Sequence, residues 1–292
     1  MNNKLKGYLF LIGSVVIYGL FGLFSRYTKL FPPFSQGYIR YFIVLFTLAI
    51  FFISKKVVWK RIEKKDIKWF LTWILPASFQ PILTFVAFNH LPVGTTYFIL
   101  YSAMIIGGII SGKIFFSEKF NIKKIFSFIL ILSGLFLIYR SDITLIKSVY
   151  ALLAILSGLI LGFWATLSKK VSSDYSEFQM MLLDSLSTFV VGLIGAVAVN
   201  EKVPPISDIA SWLWIIVFAI SGIIASFCLI RGFKYVEAQS GSLILPTELI
   251  FASVFGYFFL GEILKVTTYM GGFLIILAAI MPTLRSRTQH LK

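Results

Sequence analysis

The chain has 292 residues, 58% of them hydrophobic and 17% aromatic, with a mean hydropathy of +0.90. Only 13% are charged, against roughly 25% in an ordinary soluble domain, and a water-soluble fold of this length has no way to hide so much apolar surface. The net charge of +15 would suit nucleic acid if the basic residues gathered on one face; they lie instead in short gaps between apolar runs, which excludes nucleic acid as a partner and leaves an all-α integral membrane protein.

A bilayer core of about 30 Å takes ~20 helical residues to cross. Ten runs approach that length: 7–25, 35–53, 69–89, 94–115, 122–139, 148–168, 177–199, 211–231, 239–260 and 267–284. Turns separate them at Pro32 and Pro33, at His90 to Gly94, at Pro204 and Pro205, at Glu237 to Gly241, and at Gly261 and Glu262. Lys and Arg mark the cytoplasmic side of such a chain. Twenty of the 27 basic residues fall on the side that would hold both termini and six on the other, with Arg40 inside a span. The expectation is a multi-pass cell-membrane (inner-membrane) protein with both ends in the cytoplasm, in contact with membrane lipid. The lone Cys228 allows no internal disulfide and lies in an apolar run.

The second five spans echo the first five. At an offset of 143, Ser14 meets Ser157, Gly19 meets Gly162 and Gln36 meets Gln179; at 144, FFSEK from Phe115 lies over FLGEI from Phe259, pairing Glu118 with Glu262. The expected organisation is a five-helix repeat over 1–145 and a second, inverted one over 146–292. An odd number of spans per unit turns the second copy upside down, and inverted repeats of this kind build alternating-access carriers.

A short polar turn closed by Glu, as in Ser117-Glu118-Lys119 and Leu260-Gly261-Glu262, resembles the hallmark of EamA-type carriers of the drug/metabolite transporter superfamily. The likeness in length, span number and duplication covers the whole chain. It implies a central cavity lined mainly by spans 1, 3, 4, 6, 8 and 9, with spans 5 and 10 peripheral. The implied activity is movement of small metabolites such as amino acids or nucleosides, often outward. The resemblance also implies helix breaks in spans 4 and 9. Ile105 and Leu249 stand where the family often has proline, so the break in span 9 is expected one turn away, near Pro246, and none in span 4.

Ionisable or strongly polar groups inside a bilayer cost about 2.5–3.5 kcal/mol each and call for a reason. Glu248 lies some eight residues into span 9, at ~12 Å depth; beside Thr247 and Pro246, it is the leading candidate to bind a cationic group or a coupling proton. Gln80, between Pro76 and Pro81, fits a kinked stretch that offers polar groups to a ligand. Tyr97, Tyr101 and Ser102 share a face of span 4, and Tyr18 and Trp164 flank the repeat-related Gly19 and Gly162; rings with a polar tip suit an amphipathic solute. Arg40 and Asp184 lie nearer span ends and fit gating or structural roles. The expected substrate-binding set is therefore Glu248, Gln80, Tyr97, Tyr101, Ser102, Tyr18, Trp164 and Thr247.

Neither GxxxxGK[ST] nor HExxH occurs, and His90 and His290 lie far apart, so no cofactor, metal site or enzymatic activity is expected. The reading is a secondary carrier with a small-molecule solute as cargo, driven by protons or by the solute's own gradient, acting as a monomer or a homodimer. A channel or lipid scramblase with a polar midplane is the alternative.

Overall fold

Apolar backbone removed from water must close its own hydrogen bonds, and every regular element among the described residues is helical. The structure is a computed structural model describing residues 3–54, 59–91, 93–119, 121–140, 149–261, 263 and 265–281. Among residues singled out above, Pro92, Glu262 and His290 lie outside this set.

The first run divides into α1 (Asn3–Gly19) and α2 (Phe21–Tyr27). Then come α3 (Pro33–Ile53), α4 (Lys64–His90), α5 (Val93–Phe116), α6 (Ile122–Tyr139), α7 (Val149–Leu167), α8 (Glu177–Ala198) and α9 (Ile209–Tyr235). The ninth run is interrupted: α10 (Ala238–Ser242), a 3₁₀ turn over Leu245–Thr247, and α11 (Glu248–Leu260). The described part closes with α12 (Val266–Ile280). Eight of the ten expected segments are long and apolar enough to cross a membrane. The other two are α4, which carries four charged residues near its start and two internal prolines, and α12, which has 15 residues. Phe46, Leu152, Ile194 and Phe258 are each more than 60% exposed, a cost in water that lipid removes.

The break expected near Pro246 is present and α5 runs unbroken, both as the sequence predicts. The break after Gly19 is not announced by any proline. A Cβ on Gly19 would stand 2.7 Å from Phe251 Cβ and 3.0 Å from Ala252 N, so α1 turns where it passes α11.

Packing follows a regular scheme. α5 lies along α7, α1 along α9, α4 along α7, α3 along α8 and α6 along α12, while α3 also touches α9 and α4 touches α8. Two buried clusters result. One gathers α1, α5, α6, α7, α9 and α12 around Leu11, Ile105, Phe233 and Ile275; the other gathers α3, α4, α8 and α9 around Leu48, Trp73, Met180 and Ile230.

At the end of the bundle where α1 begins, the α9–α10 turn is tied to the α5–α6 turn by buried charge. The Glu118 carboxylate accepts from the backbone N–H groups of Ala238 at 2.6 Å and Gln239 at 2.9 Å, with Lys169 Nζ 3.5 Å away. Lys124 is 3% exposed. Its ammonium donates to Gln239 Oε1 at 2.8 Å and to Lys119 O at 3.0 Å, and pairs with Glu237 Oε2 at 3.0 Å. Burial works to raise the Glu237 pKa, but the hydrogen bond and charge of Lys124, with Lys4 and the Ser240 hydroxyl, outweigh it and hold it below the ordinary 4.5.

A carboxyl whose pKa falls on folding contributes stability above its ordinary pKa and loses it as pH falls through the folded value. Glu237→Gln is therefore expected to cost about 1 kcal/mol at neutral pH, the half-exposed position of Glu237 limiting the loss. The difference in thermal midpoint between variant and wild type should close as pH drops below 4.5. A gap that persists unchanged at lower pH would contradict the pairing.

Candidate functional site

The interrupted ninth segment places a carboxylate at a helix start deep in the bundle. Glu248 is the first residue of α11, following the Leu245–Thr247 turn, and Tyr101 of α5 stands beside it in the same cavity wall. The positive end of the helix macrodipole offsets part of the cost of a charge there.

Glu248 borders a cavity of about 360 Å³. One flank comes from α5 and α7: Tyr97 and Tyr101 with ring centroids 6.1 Å apart, and Trp164. Trp164 Nε1 donates to Asp184 Oδ1 on α8 at 3.1 Å, which holds the indole, and Trp73 Nε1 donates to the backbone carbonyl of Trp164 at 2.8 Å, which ties α4 to α7 at the same level. From α1, the Tyr18 hydroxyl lies 3.1 Å from Ser226 Oγ on α9.

Gln80 faces the cavity from α4. Its amide donates to Thr84 Oγ1 and to Ser157 Oγ, both at 3.0 Å, and the two hydroxyls are 2.6 Å apart. The two prolines leave α4 continuous, and the polar cluster joins α4 to α7. Arg40 of α3 lies over Phe218 at 4.5 Å, Tyr41 at 5.0 Å and Phe21 at 5.9 Å.

Eight of the ten sequence-selected residues thus border one chamber: Glu248, Gln80, Tyr97, Tyr101, Tyr18, Trp164, Arg40 and Asp184. Ser102 and Thr247 are not among its lining residues; their hydroxyls donate to carbonyls in their own turns, Phe98 O at 2.6 Å and Ile244 O at 2.7 Å. The lining also draws on α3 and α8, segments that the resemblance did not place at the cavity. Tyr41, Thr84 and Ser226 line it as well, and no pattern in the sequence marks them. A mid-span hydroxyl is a weak sign, since Ser and Thr satisfy themselves on their own helix.

Access is one-sided. The lining reaches Phe34 in the first turn of α3, Thr84 late in α4 and Gly192 late in α8, all toward the end opposite the start of α1. Toward the other end it stops at Trp164, Ile230 and Leu245. Beyond them the fully buried Gln239 and Ser242 and the Lys124 and Glu118 contacts close the bundle.

Comparison with known proteins follows the duplication noted above. The model of the EamA-like transporter family matches twice, over residues 5–140 and 148–284. The chain belongs to the EamA-like transporter family. An uncharacterized transporter of Archaeoglobus fulgidus is 25% identical to it over 201 residues, covering 68% of this chain and 70% of the relative. A solved crystal structure of a protein superposes with a TM-score of 0.85 at 14% identity, over 98% of this chain and 99% of the other, and so shares the fold. This EamA-family chain is a multi-pass membrane transporter and not an enzyme, with a small-molecule solute and the surrounding lipid as its partners.

Proposed function

We propose that this chain is a secondary carrier that moves a small amphipathic solute by alternating access, its ten segments forming two inverted five-helix units over 1–145 and 146–292. The packing scheme supports the duplication. Exchanging each segment with the one five places along converts α4 on α7 into α1 on α9, and α3 on α9 into α4 on α8; it returns α3 on α8 and α6 on α12 to themselves. That is the pattern of two units related by a two-fold axis.

The carrying observation is the chamber itself, which holds two carboxylates at mid-bundle, opens toward one end and is closed at the other. A pore for ions or lipid needs a continuous path, and this one stops. With both termini cytoplasmic, as the distribution of Lys and Arg favours, the open end faces outward. Glu248 is the group that binds a solute cation or a coupling proton, and export is the direction that the family resemblance favours.

Counterflow in proteoliposomes tests the reading. Solute loaded on the far side should accelerate uptake of labelled solute several-fold, with saturation. Flux that rises linearly with concentration and ignores the far side would indicate a pore.

A further inference from the structure

We propose that Arg40 is the specificity-determining residue of the cavity and reads a carboxylate on the solute, which is therefore a zwitterion held between Arg40 and the two acidic side chains. The assignment rests on the carrier reading but is carried by a separate observation, the placement of charge around the chamber.

Arg40 is the one basic side chain among the described residues that line the cavity, and Asp184 and Glu248 are the acidic ones. It forms no ion pair with any described carboxylate. Its guanidinium instead lies over the rings of Phe218, Tyr41 and Phe21. Stacking occupies the faces of a guanidinium and leaves its edge, a planar fork of N–H donors, for an anion. An arginine within a bilayer without a counter-charge is costly, and the solute can supply one.

All three charges line the one cavity, Arg40 from α3, Asp184 from α8 and Glu248 from α11, with Tyr18 and Tyr41 beside them in its wall. A cationic group on the solute has two carboxylates to choose from, and an anionic group has one guanidinium. That ratio favours a monoanion. A phosphate with two negative charges would meet two acids and a single cation, so a carboxylate is the better fit. The chamber's volume of about 360 Å³ and its aromatic walls suit an amino-carboxylate with an apolar body.

The test is equilibrium binding to the purified full-length chain of three matched probes: L-phenylalanine, L-phenylalaninamide without the carboxylate, and 3-phenylpropanoate without the ammonium. Phenylalanine is expected to bind about 10- to 100-fold more tightly than the amide, the worth of a charge-assisted pair, and more tightly than 3-phenylpropanoate. Arg40→Gln should bring phenylalanine down to the level of the amide and leave the amide unchanged, and Arg40→Lys should restore part of the difference. Equal binding of phenylalanine and its amide to the wild type overturns the proposal without recourse to any variant. So does an equal loss of both in Arg40→Gln, or binding of none of the three.

Counterflow separates this assignment from the carrier reading beneath it. Saturable counterflow of a phenethylamine probe, unaffected by Arg40→Gln, would leave the carrier standing and remove the role of Arg40. Arg40-dependent binding of phenylalanine without counterflow would leave the site standing and remove the carrier.

Discussion

Glu248→Gln is expected to reduce proton-driven accumulation of solute by about tenfold to a hundredfold, the loss that follows when one charge-assisted contact is removed from a buried site, while leaving the protein folded. The substitution keeps the size of the side chain and a carbonyl oxygen, so the place of Glu248 beside Tyr101 in the cavity wall is kept. What disappears is the exchangeable proton. Gln fixes the site in the neutral form, so accumulation against a gradient should fail while exchange of solute for solute continues.

Rate against pH is the sharper readout. Wild-type uptake should vary with pH, and the variant's should be flat. Uptake by Glu248→Gln that equals the wild type and still follows pH would take Glu248 out of the coupling step. Asp184 is the natural control. Its carboxylate accepts from Trp164 Nε1 at 3.1 Å, and Asp184→Asn keeps an acceptor there, so a structural Asp184 predicts a mild effect and retained pH dependence.

The features legible in the sequence were those set by local composition. Apolar runs of bilayer length read directly as helices, and Pro246 announced the interruption that puts Glu248 at a helix start. The Glu that closes the polar turn was visible as a motif. Its work, holding the N–H groups of Ala238 and Gln239 from 120 and 121 residues away, was not. The same separation hid the rest. Lys124 reads as one of many topology-setting lysines, yet it is buried against Gln239, 115 residues distant. Gln80 reads as part of a proline kink, yet its partner Ser157 lies 77 residues on. Arg40 reads as a residue able to reach the membrane edge, and only the packing of α3 on α9 brings Phe218 beneath it. Side-chain direction within a span follows from neighbours, and neighbours in a duplicated bundle come from the other half.

Gly162→Ala and Gly158→Ala should each destabilise the protein by about 1–3 kcal/mol, the range for overpacking a filled interior. Both glycines sit on α7 one turn apart, against the backbone of α5. A Cβ on Gly158 would collide with the carbonyl of Leu100, and one on Gly162 with the carbonyl of Met104 and, at 2.8 Å, with the amide of Gly108. A flexible side chain can swing away from such a collision; a helical carbonyl moves only with its helix. Contacts of this kind let membrane helices approach closely enough for dispersion to hold them, because lipid supplies little hydrophobic drive between spans. Forcing α5 from α7 would also shift Tyr97 and Tyr101 relative to Trp164, so solute binding should weaken along with thermal stability. Gly22→Ala provides the comparison, since nothing lies within 4 Å of a Cβ built there and alanine is the better helix former. Thermal midpoints in detergent decide the matter: equal values for Gly162→Ala and Gly22→Ala would mean that α5 and α7 are not held at backbone contact. In that event the seam between them would be loose enough to slide, and the rigid element of the transport cycle would have to be sought in the α1–α9 pair instead.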